Sequence, residues 1–330
     1  MKLRWKSILL CSAFLLITQT FPLVSEQALG QDSYPSKAIT IVVGYPPASA
    51  IDLIARKLGN EITKATGKAV IIENKAGASG MLACQFVARA PADGYTVLLT
   101  PVATHAANPH LFKRLPYSPE KDFAPVGLFG KNALVLVVRP ESPVKTVRDL
   151  VQLLRDRPGK ITFASGSVTT RAGAELLRAM TKTEAVHVPY KGDPPALNDI
   201  MGGQIDFMTV NFVPGIPLIK SGKLRAIAVT STSRIRSLPN IPAVQETAGL
   251  EGYEMTTAGA AFVPAGTPAP IVLRLNKILA SAMNSEELKT FMAKTGGEVV
   301  NSSPQELEQF IRSESARWAR IVKTAGIEPE

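Results

Sequence analysis

Apolar positions along this chain follow two periods in turn, a strand period and a helix period, with small-residue or proline turns between them. The β-branched run Ile39–Val43 predicts a strand. Ile54, Leu58, Ile62 and Ala65 recur every three or four residues and predict a helix over 52–65, closed by Gly67. A strand over 70–72, a helix over 81–90, the Asp93-Gly94 turn and a strand over 95–100 repeat the pattern. It resumes with a strand over 134–138, a helix capped by Thr146 and running to Arg155, and a strand over 161–164. A helix over 172–180, a strand over 186–188, a helix over 194–201 capped by Asp193 and stopped by Gly202-Gly203, and strands over 205–209 and 224–229 follow. Helices near 268–283 and 304–325 close the chain. Strands alternating with helices imply an α/β fold of mainly parallel sheets covered on both faces.

The first thirty residues do not fit that pattern. Lys2, Arg4 and Lys6 precede an apolar run over 8–17 broken only by Cys11 and Ser12, and Ala28-Leu29-Gly30 offers small residues for cleavage. This composition predicts a signal peptide over 1–30, cleaved near Gly30, and a periplasmic destination. An uncleaved anchor is the alternative, but the run ends at Thr18-Gln19-Thr20, short of the about 20 apolar residues a span needs. Cys11 follows Leu10 at the start of the run, which does not suit a lipoprotein.

Some 300 residues beyond the signal suit about two domains. Without Lys2, Arg4, Lys6 and Glu26 the chain carries 34 basic and 26 acidic side chains, a formal charge of +8. The excess is spread along the sequence, which argues against a nucleic-acid partner and is compatible with a field that attracts small anions. Cys84 alone remains after cleavage, so no intramolecular disulfide forms, and its small-residue helical surroundings predict buried packing.

In sheets of this kind ligands bind beyond the carboxyl ends of strands, where loops lead into helix N-termini. Five such loops are rich in small residues, hydroxyls or proline: 44–51, 74–80, 101–108, 165–171 and 190–194. The turn around Tyr45, Ala48 and Ser49 offers backbone N–H groups at a helix start, an ordinary helix entrance or an anion site. Ser165, Ser167, Thr169, Thr170 and Arg171 form a second such turn, where Arg171 either holds a carboxylate in bidentate fashion or faces solvent. Catalytic readings lack partners. Neither Gly77-Ala78-Ser79-Gly80 nor Ser165-Gly166-Ser167 completes G-x-S-x-G, no phosphate-binding loop is present, and His105, His110 and His187 lack the spacing of a metal site. The sequence therefore predicts no enzyme, no cofactor and no metal.

A longer series of motifs is more specific. Tyr34-Pro35-Ser36-Lys37, Pro46-Pro47, Glu73-Asn74-Lys75-Ala76-Gly77-Ala78, Asp93-Gly94-Tyr95-Thr96, Thr104-His105-Ala106-Ala107-Asn108-Pro109, Lys121-Asp122-Phe123-Ala124-Pro125-Val126, Val188-Pro189-Tyr190-Lys191-Gly192, Gly203-Gln204-Ile205-Asp206 and Pro264-Ala265-Gly266-Thr267-Pro268 occur in one order across the chain after the signal. The series closely resembles the Bug family, the solute-binding receptors of tripartite tricarboxylate transporters. The resemblance implies a two-lobed Venus-flytrap receptor that closes on a small organic anion and presents it to membrane permease subunits. It implies lobes over 31–132 plus 253–330 and over 133–252, and we expect a monomer. Family ligands span dicarboxylates, tricarboxylates, amino acids, aromatic acids and nicotinate-type compounds.

By position, the resemblance implies ligand-binding roles for Tyr45, Ala48, Ser49, Ala78 and Thr104 from one lobe. Ser165, Ser167, Thr169, Thr170, Arg171, Tyr190 and Asn211 face them from the other. Three departures stand out. Ala48-Ser49-Ala50 replaces the glycines that usually follow Pro-Pro; the loop before Arg171 is shorter than usual, with Arg171 near a common His; and Val210 stands where an acid often precedes Asn211. The missing acid removes a counter-charge for an ammonium and so disfavours amino-acid ligands. Two other outputs fit the same residues: a ligand sensor that docks on a signalling partner, and a secreted α/β enzyme, which turnover of the bound acid would reveal.

Overall fold

The structure, a computed structural model, describes residues 34–324 and 326–329; the expected signal peptide lies outside them. The chain opens with β1 (Ile39–Val43), α1 (Ala50–Thr66), β2 (Val70–Asn74), α2 (Met81–Ala88) and β3 (Thr96–Pro101). Two short helices, α3 (Ala103–Ala106) and α4 (Asn108–Leu111), then lead to the long strand β4 (Phe123–Val138). After it come α5 (Val147–Asp156), β5 (Thr162–Ser165), α6 (Val168–Thr181), β6 (Val186–Pro189), α7 (Asp193–Met201), β7 (Phe207–Asn211), α8 (Phe212–Lys220) and β8 (Arg225–Val229). The return uses β9 (Thr256–Pro264), α9 (Ala269–Met283), α10 (Glu286–Lys294), β10 (Gly297–Glu298) and α11 (Pro304–Thr324).

Helix α1 shows how the apolar period becomes packing. Ile51, Ile54, Ala55, Leu58 and Ile62 are buried on one face, and Gly67 ends the helix at φ 68°, a left-handed conformation that glycine adopts without strain. Leu58 is fully enclosed by the core that spans β1, β3 and α9, so its truncation to alanine would cost about 2–5 kcal/mol.

The strands form two sheets that share β4. In the first, β2, β1 and β3 run parallel, and β9 pairs antiparallel with β3 and with the N-terminal part of β4. In the second, β5, β6 and β7 run parallel, and β7 and β8 pair antiparallel with the C-terminal part of β4. The sheets are therefore mixed, with parallel pairs on the flanks and antiparallel strands where the chain passes between them. The change of partner falls between Ala133, opposite Thr256 of β9, and Leu134, opposite Asn211 of β7.

The return crossing meets the outward one at Thr230, which is fully buried. Its N–H donates to the Leu134 carbonyl at 3.0 Å, and its own carbonyl accepts from Met255 N–H at 2.9 Å. The Thr230 hydroxyl accepts from Leu134 N–H at 2.7 Å and lies 2.6 Å from the Met255 carbonyl. One side chain thus ties together both passages of the chain between the sheets.

Candidate functional site

The carboxyl ends of β1, β2 and β3 face those of β5, β6 and β7, as expected for a ligand site in α/β sheets. Between them lies a narrow inner chamber of about 40 Å³, room for about three waters. Tyr45, Ser49, Phe129 and Asn132 line it from the first sheet's side, and Ser167, Asp193 and Asn211 from the second's. A wider outer chamber of about 300 Å³ shares Gly166 and Ser167 with it and adds Ala78, Ser79, Arg171, His187, Tyr190 and Lys191. The two faces touch where Gly192 meets Pro46: a Cβ on Gly192 would lie 2.5 Å from the Pro46 ring, so only glycine allows this approach.

On the first face, the β1–α1 turn is held from behind. Asp52 accepts the Ala48 N–H at 2.9 Å, a bidentate Arg56 at 3.0 Å, and Asn74 Nδ2 at 2.8 Å, and Asn74 also donates to the Tyr45 carbonyl. Burial alone would raise the Asp52 carboxyl, but these donors hold it below its usual range. Ala48 adopts φ 64°, the left-handed region that disfavours a side chain by about 1–2 kcal/mol, so the turn keeps a glycine conformation with alanine in place. Ser49 then opens α1 without capping it: its hydroxyl is buried, has no hydrogen-bond partner and faces the inner chamber. The first-turn N–H groups of α1 therefore lack a side-chain acceptor, the arrangement that draws an anion. Tyr45 lines the same chamber; its hydroxyl is also buried without a partner, and burial raises the phenol, which stays protonated and able to donate.

On the second face, α6 is closed. Ser167 Oγ accepts from Thr170 N–H at 3.2 Å, while Thr170 Oγ1 accepts from the N–H groups of Ser167 at 2.9 Å and Gly166 at 3.1 Å. Thr170 is thus a capping residue with no exposed surface, and Thr209 Oγ1 donates to its carbonyl. Asn211 Nδ2 donates to Asp193 Oδ2 at 2.6 Å. Asp193, 3 % exposed, leaves Oδ1 unpartnered in the chamber wall. Desolvation pushes its carboxyl up to about 6, with Asn211 pulling the other way.

The remaining expected residues divide between the outer chamber and the interior. Ser165 Oγ lies 2.7 Å from His187 Nε2, and Arg171 Nε stands 3.8 Å from Glu175 in the outer wall. Tyr190 donates to Asp199 at 2.5 Å; burial and that carboxylate push its phenol up to about 12. Ala78 lines the outer chamber at φ 46°. Thr104 is turned inward, donating to the Pro101 carbonyl at 2.9 Å beside Thr100 and His105. Thr169 borders a separate crevice with Phe310 and Trp318 of α11. The structure therefore brings Tyr45, Ser49, Ser167 and Asn211 to the inner chamber, Ala78, Ser165, Ser167, Arg171 and Tyr190 to the outer one, leaves Thr104, Thr169 and Thr170 buried outside both, and leaves Ala48 exposed on the turn.

Asp193, Asn132, Phe129 and Gly259 were not anticipated. Asp193 reads as a helix cap in sequence, yet the N-cap is Gly192, and Asp193 is the first residue of α7 with its carboxylate turned to Asn211. It supplies a carboxylate that Val210 lacks, so the inference against an ammonium-bearing ligand does not hold. Phe129 packs against Gly259, where a Cβ would approach its ring to 2.2 Å, a contact no local pattern announces. His105 is structural: it stacks on Phe262 at 3.8 Å between ring centroids, and burial lowers its imidazole to about 3, so it stays neutral. Among the described residues no group of three or more His, Cys, Asp or Glu side chains is placed to hold a metal ion, and no helix is long and apolar enough to cross a membrane.

Comparison with known proteins agrees with this geometry. Protein BugT of Bordetella pertussis is 32% identical over 298 residues, covering 89% of this chain and 91% of that one. A solved R. palustris protein with adipate superposes with a TM-score of 0.87 at 33% identity over 90% of this chain and all of that one. MatC from Rhodopseudomonas palustris with bound malate gives 0.83 at 32%, covering 88% and 100%. The profile of the tripartite tricarboxylate transporter family receptor matches residues 54–327, and with these relatives the two-sheet chain, its chamber set between facing strand ends, belongs to that family of two-lobed solute-binding receptors.

Proposed function

We propose that the protein is a non-enzymatic periplasmic receptor that closes on one small carboxylate and hands it to the permease subunits of a tripartite transporter. The uncapped start of α1 carries the reading: the buried, unpartnered hydroxyl of Ser49 stands at helix N–H groups without a side-chain acceptor, and Tyr45, whose hydroxyl is also unpartnered, lines the same chamber. Such a site stabilises negative charge without a basic side chain, because each N–H and hydroxyl already points at the place where the anion sits. Relatives that hold adipate and malate support the same ligand chemistry. The lobes run over 31–132 plus 253–330 and over 133–252; the change of partners at Ala133 and Leu134 and the return at Thr230 and Met255 support these bounds. Cleavage near Gly30 releases the receptor as a monomer.

The test is ligand binding by purified protein that has been unfolded and refolded to strip carried-over ligand. A carboxylate at a hundred times its dissociation constant raises the stability by about 2.7 kcal/mol and shifts the thermal midpoint upward. A folded protein that no mono-, di- or tricarboxylate stabilises would sink the proposal.

A further inference from the structure

We propose that Asp193 selects the ligand, its unpartnered Oδ1 taking an ammonium, so that the inner chamber holds the head group of an α-amino acid with its carboxylate on the start of α1. The inference rests on the receptor reading above and narrows its substrate class.

Three observations carry it. First, among the described residues Asp193 is the one carboxylate in the wall of the inner chamber, and no lysine, arginine or histidine lines that chamber. Second, Oδ2 is already satisfied by Asn211 while Oδ1 is buried with no partner; a carboxylate oxygen in that state accepts a donor and repels a second carboxylate. Third, the opposite wall carries no carboxylate and offers donors for an anion at Ser49, Tyr45 and the first turn of α1, alongside the unpartnered acceptor Asn132 Oδ1. A ligand that spans the two faces therefore needs negative charge at one end and a positive donor at the other, within a chamber of about 40 Å³. The ammonium and carboxylate of an α-amino acid are few enough atoms for that volume, and its side chain passes into the outer chamber.

Other ionisable groups surround Asp193 on each flanking element. They are Tyr45 on the facing turn, His187 in β6, Lys191 in the turn before α7, Arg171 and Glu175 on α6, and Asp199 on α7 bonded to Tyr190. A pH profile alone therefore does not isolate Asp193, and the variant supplies the control. Asp193→Asn keeps an oxygen to accept from Asn211 and preserves shape, but presents a neutral amide.

The experiment compares pairs that differ by one ammonium, L-aspartate with succinate and L-glutamate with glutarate, by calorimetry on refolded protein at pH 7.5. At least one amino acid of the pairs should bind more than tenfold tighter than its diacid. Asp193→Asn should weaken it by about thirtyfold or more while moving the diacid less than threefold. Affinity for the amino acid should rise from pH 5 to 7.5 in the parent and not in the variant. Diacids that bind as tightly as the amino acids, with affinity falling as pH rises and little change in Asp193→Asn, would overturn the inference in favour of a protonated Asp193 sharing a hydrogen bond with a carboxylate, and would leave the receptor reading standing. Carboxylates that bind only without an ammonium would overturn it equally. Failure of every acid to bind a cooperatively folded protein would remove the receptor reading, and this inference with it.

Discussion

Two helix starts face the same cleft and are treated in opposite ways. Helix α6 is sealed by the reciprocal bonds of Ser167 and Thr170, so its N–H groups serve the fold. Helix α1 begins at a serine whose hydroxyl caps nothing, and the Tyr45 hydroxyl in the same chamber wall is equally unsatisfied. Buried polar groups are normally paired, and the unpaired hydroxyls of Ser49 and Tyr45 border a chamber where a ligand would supply the partner. The contrast supports the proposal that the anion sits at the start of α1 and that Asp193 on the facing side reads the remainder of the ligand.

Asp193→Asn tests this contrast with the largest expected effect. The folded-state value near 6 lies above the ordinary aspartate value of 3.8, so below about pH 4 the carboxyl is neutral folded or unfolded and the variant gains nothing. Between about 4 and 6 the unfolded carboxyl ionises while the folded one stays neutral, so the cost to the parent accrues over that window and the ligand-free variant is more stable by about 3 kcal/mol at pH 7.5. Denaturant unfolding at pH 4 and 7.5 measures this; an equal gap at both values would refute it.

Gly192→Ala acts next. Its Cβ would sit 2.5 Å from the Pro46 ring, so the faces cannot meet and ligand affinity should fall by about thirtyfold, since only the closed population binds tightly. Calorimetry that finds parental affinity would show that closure at this point is not needed.

Some of this was legible beforehand and some was not, for physical reasons. The first three strands and α1 announce themselves because their apolar periods are local. Strand β9 does not: Gly259 interrupts Thr256–Pro264 to make room for the Phe129 ring, a partner 130 positions earlier in sequence. The length of β4 was hidden by two register shifts, between Pro125 and Gly127 and between Leu128 and Gly130. In the site, Ser49 and Tyr45 were readable as a helix start with small neighbours. Asp193 was not, because a Gly-Asp-Pro-Pro turn looks like an ordinary cap and its partner Asn211 lies 18 residues away.

Ser49→Ala and Ser167→Ala sharpen the comparison with smaller effects. The first should weaken the carboxylate ligand by about tenfold, the worth of a hydrogen bond to a charged group, while leaving unfolding energy nearly unchanged. The second should lower stability by about 1 kcal/mol through loss of the cap. Equal stability losses in both variants would mean that Ser49 is an ordinary cap after all.

Thr230 gives the molecule a mechanical simplicity. Two chain passages joining two bodies would ordinarily allow bending and twisting about separate points. With both passages fastened to one buried side chain, the two joints are held together at one place, so they cannot slide past one another and the bodies on either side turn about a shared point. Distances between spectroscopic labels placed on either side of that point then follow the turning, and the Cys84 thiol, being buried, does not compete for cysteine labels placed on the surface.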